Sequence, residues 1–245
     1  MAAAGRLAGA AGAARSLLDR AGLSVRRRSS TLPGARRQLL ASGQVALVVD
    51  VGAHLGEYVR VIRGEGYGGA IVSFEPIAAH FRQLQTAAAD DEGWSGRNAA
   101  VGAEPGTATI NVSGNEGFSS SLLEMDEAHV RAVEASAFER TEEVEMVTLD
   151  GELGEDGRLQ GGGYLKVDAQ GFEAPALRGA EQVLRHCVAV ELELSLRTLY
   201  EGQLLIGEMI ELVRDHGFAP THLEPEFIDP SSGELLQVNG LFRRL

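Results

Sequence analysis

Two acidic motifs follow the first two apolar runs of the chain. Asp50-Val-Gly-Ala-His-Leu-Gly56 ends one run, and Glu75-Pro76 ends the next. Glycines at this spacing allow a buried strand to turn sharply into a helix and allow a ligand to approach the main chain. A carboxylate at the end of the neighbouring parallel strand can accept hydrogen bonds from both hydroxyls of a ribose. The two motifs together predict a nucleoside-binding site.

The spacing of the glycines indicates which nucleoside is expected. Dinucleotide sites use Gly-x-Gly-x-x-Gly, in which N–H groups at the start of a helix bind a pyrophosphate. Here the pattern is Gly52-x-x-x-Gly56, and Asp50 precedes it, so a phosphate would meet a carboxylate. A ligand that ends in an amino acid with an ammonium group avoids this repulsion. The pattern therefore favours S-adenosylmethionine as the cofactor and disfavours a dinucleotide-dependent oxidoreductase.

Residues 45–245 resemble the FkbM-type methyltransferases. The segment most specific to this resemblance is Leu165-Lys-Val-Asp-Ala-Gln-Gly-Phe-Glu173. Further matching segments follow the family's order: 50–56, 74–76, 98–102, 119–123, 193–196, 199–202 and 237–242. Two positions depart from the family pattern, because His54 stands where Asn is usual and Asn239 stands where Asp is usual.

The resemblance implies an α/β protein with a Rossmann-like class I methyltransferase fold. That fold has a mostly parallel seven-stranded sheet with a C-terminal antiparallel hairpin. The implied activity is S-adenosylmethionine-dependent O-methylation of a hydroxyl in a sugar, a glycolipid or a secondary metabolite. The alternative is a catalytically inactive module of the same fold that binds cofactor or serves in an interaction, and His54 and Asn239 keep that alternative open.

Three candidate catalytic residues lie where the fourth and fifth strands are predicted to end. A hydroxyl acceptor must lose its proton, and a well-placed base contributes about 10²–10⁴-fold to the rate. Asp168 is the first choice for this base, Lys166 is expected to hold or polarise the acceptor, and Glu193 is the third candidate. Lys166 is the only lysine in a chain whose other basic residues are arginines. Its compact ammonium cannot be imitated by a planar guanidinium, which favours a specific role.

The remaining candidates are contacts to cofactor and substrate. The expected cofactor-binding residues are Asp50, Gly52, Ala53, His54, Gly56, Glu75, Pro76 and Asn98. The hydroxyls of Ser119, Ser120 and Ser121 are expected to bind a polar acceptor, although a serine-rich loop is also commonly just flexible. No cluster of His, Cys and Asp has the spacing of metal ligands, so no metal site is predicted.

Charge is distributed unevenly along the chain. The whole sequence carries a formal charge of −13; residues 1–43 contribute +7, and the rest therefore carries −20. A domain this acidic is a poor partner for a phosphate backbone, so nucleic acid is not expected as a partner. The single cysteine, Cys187, excludes a disulfide framework and favours a reducing, cytoplasmic compartment. No apolar stretch has the length of a membrane span.

The sequence divides into an Arg- and Ala-rich accessory segment, residues 1–43, and a methyltransferase domain, residues 44–245, with an insertion at about 107–148. Residues 6–21 have helical periodicity. A docked helix, a targeting segment and a peripheral contact with an anionic membrane all remain open for this segment. The sequence does not indicate an oligomeric state.

Alternating strands and helices are predicted to position the candidate site. A third strand is expected near residues 97–101, a fourth at 164–167 and a fifth at 188–194. One continuous helix is expected over residues 173–185, with Pro175 in its first turn. The C-terminal hairpin is expected to turn around residues 230–233.

Overall fold

The computed structural model describes Arg20 and residues 30–245. The predicted helix at 6–21 therefore lies, apart from Arg20, outside the described residues. The strands of residues 30–245 are β1 Leu47–Val51, β2 Ala70–Phe74, β3 Trp94–Arg97, β4 Ala100–Val101, β5 Gly106–Ser113, β6 Phe138–Val147, β7 Gly163–Val167, β8 Cys187–Ser195, β9 Phe218–Ile228 and β10 Leu235–Arg244. The α-helices are α1 Leu32–Leu40, α2 Glu57–Gly64, α3 Ala78–Ala87, α4 Glu127–Ala132, α5 Leu149–Leu153, α6 Glu173–Arg178, α7 Glu181–His186 and α8 Ile206–Asp215.

Seven strands form the main sheet in the order β3-β2-β1-β7-β8-β10-β9. The pairs from β3 to β8 are parallel, and β10 pairs antiparallel with both β8 and β9. The central strands read as nearly continuous apolar runs because helices cover both of their faces. The predicted fold class, including the antiparallel hairpin at the C-terminus, is confirmed.

The register of the parallel strands places charged residues side by side within this apolar sheet. Asp50 of β1 pairs with Ser73 of β2 on one side and with Lys166 of β7 on the other. Lys166 in turn pairs with Glu191 of β8. Neighbouring residues in register project from the same face of a sheet, so these side chains form a polar row beneath the ends of the strands.

The prediction of a third strand near 97–101 was wrong in its position. The third strand of the main sheet, β3, ends at Arg97, and Ala100–Val101 pairs with β6 in a separate three-stranded sheet of order β4-β6-β5. Between them, Asn98 donates from Nδ2 to the carbonyls of Glu75 (2.8 Å) and Pro76 (2.9 Å). This side chain ties the chain to the end of β2, where it leaves one sheet for the other.

The predicted continuous helix over 173–185 is interrupted. It forms α6 and α7, separated at Gly179 and Ala180. The chain passes so close to another loop at Gly179 that an added Cβ would lie 2.0 Å from the carbonyl oxygen of Gly102. The carboxylate of Asp150 then accepts from the backbone N–H groups of Gln182 and Val183 at the start of α7. A side chain distant in sequence therefore supplies the second start signal.

Helix α1 packs on the main sheet and on α2. Leu32, Leu39 and Leu40 are buried in an apolar cluster that includes Val48 of β1 and Ile62 of α2. The domain boundary drawn between residues 43 and 44 remains a prediction. No helix in the described part of the chain is long and apolar enough to cross a bilayer.

Candidate active site

A cavity of about 330 Å³ lies at the carboxyl ends of β1, β2, β7 and β8. Its volume falls within the range of small-molecule sites, about 300–1,000 Å³. Ten of the predicted site residues line it: Gly52, Ala53, His54, Glu75, Pro76, Ser120, Ser121, Lys166, Asp168 and Glu193. Four others do not: Asp50, Gly56, Asn98 and Ser119. The fold therefore brings most of the predicted residues to one place.

The glycine turn after β1 is shaped by a neighbouring loop of the protein itself. Gly52 has a φ of +74°, and an added Cβ would lie 1.8 Å from the carbonyl oxygen of Asp168. Glycine is required here because the loop after β7 approaches so closely, whether or not a ligand also contacts this turn. His54 follows with a φ of +49°. Asparagine and histidine are among the residues enriched in this left-handed region, so His54 satisfies the same backbone requirement as the usual Asn.

His54 also joins the turn to the insertion. Its Nε2 lies 3.0 Å from the carbonyl oxygen of Glu116, so this nitrogen carries the hydrogen, and its ring packs against Phe118 and His80. Phe118 is 54 % exposed and lines the cavity. The loop at 116–118 thus covers one side of the cavity through contacts with the glycine turn.

Glu75 is held in place by the backbone around it. Its carboxylate accepts from the N–H of His54 (2.9 Å, to Oε2) and from the N–H of Ile77 (2.9 Å, to Oε1). An ionised carboxylate has about four acceptor positions. Two of the four are used by these bonds, so Glu75 retains the capacity to accept from hydroxyls of a ligand in the cavity.

Asp50 lies beneath the cavity and contacts Lys166. The carboxylate is fully buried, with Oδ1 3.3 Å from Lys166 Nζ and Oδ2 3.3 Å from the donating hydroxyl of Ser73. Burial raises the pKa of Asp50, and the ammonium of Lys166 opposes that shift. The sequence suggested a direct contact between Asp50 and the ammonium of a ligand; in the structure the lysine of the protein occupies that position.

Lys166 is surrounded by acceptors of its own chain. Its ammonium donates to the carbonyl of Gly52 (3.1 Å), lies 3.5 Å from Asp168 Oδ2, and sits over the ring of Tyr58. Burial alone would lower the pKa of Lys166, but Asp50 and Asp168 outweigh it and raise the pKa above its ordinary value. Lys166 is therefore a permanent cation that orients the two aspartates and the glycine turn.

Asp168 and Glu193 are connected by a single amide. Nε2 of Gln170 donates to Asp168 Oδ1 (2.8 Å) and to Glu193 Oε2 (3.0 Å), and Gln237 also donates to Glu193 Oε2 (2.7 Å). Burial, followed by the charge of Asp168, raises the pKa of Glu193 well above its ordinary value. Two carboxylates with different environments therefore share one donor at the edge of the cavity.

The three serines of the insertion are placed differently. Ser119 is buried, and its hydroxyl contacts Asn115 and His129 within the insertion. Ser120 accepts from the N–H of Ser113. Ser121 donates to the carbonyl of Gln170 (2.7 Å) and, like Ser120, lines the cavity. The serine segment thus connects the insertion to the β7 loop.

Sequence reasoning missed several residues of the site. Glu173 accepts at Oε1 from the N–H groups of Ala169 and Gly171, and burial raises its pKa to about 7. A second group of missed residues lines the cavity around Glu191. The carboxylate of Glu191 accepts hydrogen bonds from Arg36 of α1 and from Tyr58. Gln170 and Glu173 stood within the specific segment at 165–173. The contacts of Arg36 and Tyr58 join elements far apart in the sequence, and no local pattern predicts them.

The residues that line the cavity fit S-adenosylmethionine. Glu75 offers acceptor capacity to ribose hydroxyls, and four apolar side chains line the same cavity: Phe74, Ile77, Val101 and Leu122. The glycine turn leaves the main chain open to the ligand beside Glu75, and Asp168 and Glu193 line the cavity away from that nucleoside end. Among the described residues, no group of three or more His, Cys, Asp or Glu side chains is arranged to hold a metal ion.

The sheet order β3-β2-β1-β7-β8-β10-β9, with its antiparallel final pair, is that of the class I methyltransferase fold. A family model described as the methyltransferase FkbM domain matches residues 50–220, which is more than half of the chain. The chain belongs to the FkbM methyltransferase family.

Several solved methyltransferase structures are similar to this chain. Magnesium protoporphyrin IX methyltransferase from Synechocystis PCC 6803, with bound SAM, is 9% identical, with a TM-score of 0.43 and coverage of 91% of this chain and 86% of the other. An rRNA methylase from Streptococcus thermophilus is 10% identical, with a TM-score of 0.45 and coverage of 90% and 98%. A TehB-like SAM-dependent methyltransferase from Corynebacterium glutamicum is 11% identical, with a TM-score of 0.39 and coverage of 94% of both chains. The comparison with curated protein sequences gave no match.

Proposed function

We propose that this protein is an S-adenosylmethionine-dependent O-methyltransferase that acts on a hydroxyl of a sugar, a glycolipid or a secondary metabolite. The observation that carries the proposal is the pair Asp168 and Glu193, joined by Gln170 in the cavity that Glu75 also lines. One end of this cavity offers a carboxylate for a nucleoside, and the other offers carboxylates that can take a proton from an alcohol.

The cofactor-binding roles follow from the contacts of the turn. Glu75, kept in place by the N–H groups of His54 and Ile77, accepts from the ribose hydroxyls. Asn98 fixes the carbonyls of Glu75 and Pro76 and so acts on the pocket indirectly. Asp50 acts through Lys166. The cofactor, when bound, supplies a methyl group activated by a sulfonium.

The residues of the chain supply alignment and proton removal. Correct alignment of two reacting groups can contribute about 7–11 kcal/mol to lowering a barrier. Asp168 accepts the proton of the acceptor hydroxyl, since it is partly exposed to the cavity and faces the cation Lys166. Glu193 binds the acceptor beside it, and Ser120 and Ser121 contribute hydroxyls at the cavity wall.

The proposed partners follow from charge and composition. The described domain is strongly acidic, which disfavours a nucleic-acid acceptor and favours a small molecule or a glycan. A cytoplasmic location is supported by the single, buried thiol of Cys187. Peripheral membrane contact through residues 1–43 remains part of the proposal, on account of the charge of that segment.

The test of this function separates cofactor binding from methyl transfer. S-adenosylhomocysteine is titrated by calorimetry into the wild type, Glu75→Ala and Asp168→Asn. A matched control is Glu211→Ala, which removes an exposed carboxylate of α8. We expect binding by the wild type, the control and Asp168→Asn, and a 10–100-fold loss in Glu75→Ala, as for a charged hydrogen bond.

Transfer is then measured with a labelled methyl donor and a panel of hydroxyl acceptors. Asp168→Asn should lose transfer while it keeps cofactor affinity. A folded wild type that does not bind S-adenosylhomocysteine would contradict the enzyme and favour the non-catalytic interaction module. Transfer to RNA or to an amine in place of an alcohol would overturn the proposed acceptor.

A further inference from the structure

The backbone at Gln170 is held in an unfavourable conformation. Its φ is +50°, in the left-handed region that a glutamine rarely adopts, and Gly171 follows with a φ of +91°. Residues in such conformations persist only where the surrounding structure fixes them, and they concentrate at functional sites. Gln170 also lines the cavity. Contacts from other parts of the chain hold this conformation, and it affects the carboxylates of the site.

The cause lies in two contacts from other parts of the chain. Ser121 donates from its hydroxyl to the backbone carbonyl of Gln170 (2.7 Å). The hydroxyl of Tyr200 lies 2.8 Å from Gln170 Oε1 and 3.0 Å from the carbonyl oxygen of Ser119. Tyr200 is fully buried, and its ring packs so tightly on Gly171 that an added Cβ would lie 3.0 Å away.

The consequence is the orientation of one amide. The single hydrogen of the Tyr200 hydroxyl is shared between Oε1 of Gln170, the nearer acceptor, and the carbonyl of Ser119, so the amide oxygen of Gln170 is directed away from the carboxylates. The NH₂ group then faces Asp168 and Glu193, and each of its hydrogens has one acceptor. In the opposite orientation, the amide oxygen would face both carboxylates and lose both bonds.

We propose that Gln170 and Tyr200 are positioning residues that hold Asp168 and Glu193 together as one functional pair. This inference rests on the proposed function, because it concerns the two carboxylates to which that function assigns proton removal and acceptor binding. Tyr200 orients the amide, Gln170 spans the pair, and the cost of keeping two like charges close is reduced by the shared donor.

Other charged groups surround the pair and act on it in every variant alike. They are Lys166 on β7, Glu173 on α6, Glu191 on β8, Glu226 on β9 and Asp50 on β1. Burial raises the pKa of Glu173 to about 7, so this group titrates between pH 5 and pH 8. The experiment therefore compares the difference in melting temperature between two variants at two values of pH. The pH dependence of a single protein's melting temperature is not used.

The test measures the melting temperature at pH 5 and at pH 8, without cofactor or acceptor. Gln170→Leu removes the shared amide donor, and a leucine, like the glutamine, must adopt the positive φ at this position. A buried carboxyl whose pKa is raised reduces stability as the pH rises above the value of the unfolded chain. Removal of the donor raises that pKa further, so the loss in melting temperature caused by Gln170→Leu should grow with pH and be larger at pH 8 than at pH 5. In a Glu193→Gln background this difference should disappear.

Tyr200→Phe provides the second variant, because it removes one oxygen and keeps the ring packed. It should show the same pH-dependent loss, and its effect should be smaller in the Gln170→Leu background than in the wild type. The matched control is Tyr67→Phe, which removes a buried hydroxyl that donates to the carbonyl of Ala70 outside the cavity. Its loss should be equal at both values of pH.

Two results would overturn the proposal. One is an equal loss at pH 5 and pH 8 for both Gln170→Leu and Tyr200→Phe, which would indicate packing alone. The other is a pH-dependent loss that survives in the Glu193→Gln background. Since neither measurement involves cofactor or acceptor, failure of the proposed enzyme activity is a separate and distinguishable outcome.

Discussion

The ammonium of Lys166 lies 3.3 Å from Oδ1 of Asp50, with the carboxylate fully buried. The two residues pair in register across β1 and β7, directly below the glycine turn. The same ammonium donates to the carbonyl of Gly52. One buried cation thus connects the strand that begins the nucleoside motif to the strand that carries Asp168.

Removal of Lys166 should destabilise the fold strongly. Lys166→Met leaves Asp50 buried without its ionic partner, and breaking such a pair typically costs about 3–5 kcal/mol. The double variant Asp50→Asn/Lys166→Met should recover a large part of that loss. Unfolding in urea measures both. A loss for Lys166→Met that is as large in the Asp50→Asn background as in the wild type would show that the pair does not interact.

The pH range of this contribution follows from the sign of the shift. The pKa of Lys166 is higher in the folded protein than in the unfolded chain. Its contribution to stability is therefore fully present below the pKa of the unfolded chain. That contribution is lost only as the pH rises through the pKa of Lys166 in the folded protein. The difference in stability between Asp50→Asn and Asp50→Asn/Lys166→Met should therefore stay level from pH 7 to pH 9, as measured by urea unfolding.

Glu173 should make the stability of the protein fall as the pH rises towards 7. Burial raises the pKa of Glu173 to about 7. The free energy of unfolding therefore decreases between about pH 4.5 and pH 7, and this contribution changes little at higher pH. Glu173→Gln lacks this loss. Relative to wild type it should gain up to about 3 kcal/mol between pH 5 and pH 8, since each pKa unit corresponds to about 1.4 kcal/mol. Urea unfolding at the two values of pH checks this, and a constant difference would contradict it.

Arg36 should couple helix α1 to the cavity. Its guanidinium contacts Glu65 (2.9 Å) and Glu191 (2.8 Å), and all three side chains are almost completely buried. Arg36→Met should destabilise the protein by roughly 3 kcal/mol or more. It should also weaken S-adenosylhomocysteine binding, because Glu191 and Tyr58 line the cavity.

Arg37→Met is the matched control for this prediction. Arg37 lies on the same helix and, within residues 30–245, has no ion pair. It should change stability by less than about 1 kcal/mol. A similar loss in both variants would indicate a general effect of charge on α1 and would contradict the specific role of Arg36.

His54 should hold the loop at 116–118 over the cavity. His54→Ala removes the bond to the carbonyl of Glu116 and the contact with Phe118. Hydrogen exchange at the amides of 117–120 should become faster, while exchange in β7 should be unchanged. His54→Asn, which keeps a residue suited to a positive φ, should show the faster exchange with a smaller loss of stability than His54→Ala. Unchanged exchange in both variants would show that this contact does not hold the loop.

Much of the fold could be predicted because its signals are local. The apolar runs at β1, β2 and β7 and the glycine turn after β1 gave the parallel sheet and the edge at which Glu75 and Asp168 meet. The end of β3 and the break between α6 and α7 could not be predicted in this way. They depend on Asn98 and Asp150, whose partners lie about 22–33 residues away.

The sequence by itself determined the class of protein, because the order of strands, turns and acidic motifs is written in consecutive residues. It also pointed to three candidate residues: Asp168 through the specific segment at 165–173, Lys166 as the single lysine, and Glu193 near the predicted end of the fifth strand. Only the tertiary structure decided what each one contacts. Asp50 faces Lys166, Gln170 spans Asp168 and Glu193, and Arg36 reaches Glu191, because long-range packing sets the direction of side chains and burial sets their charge.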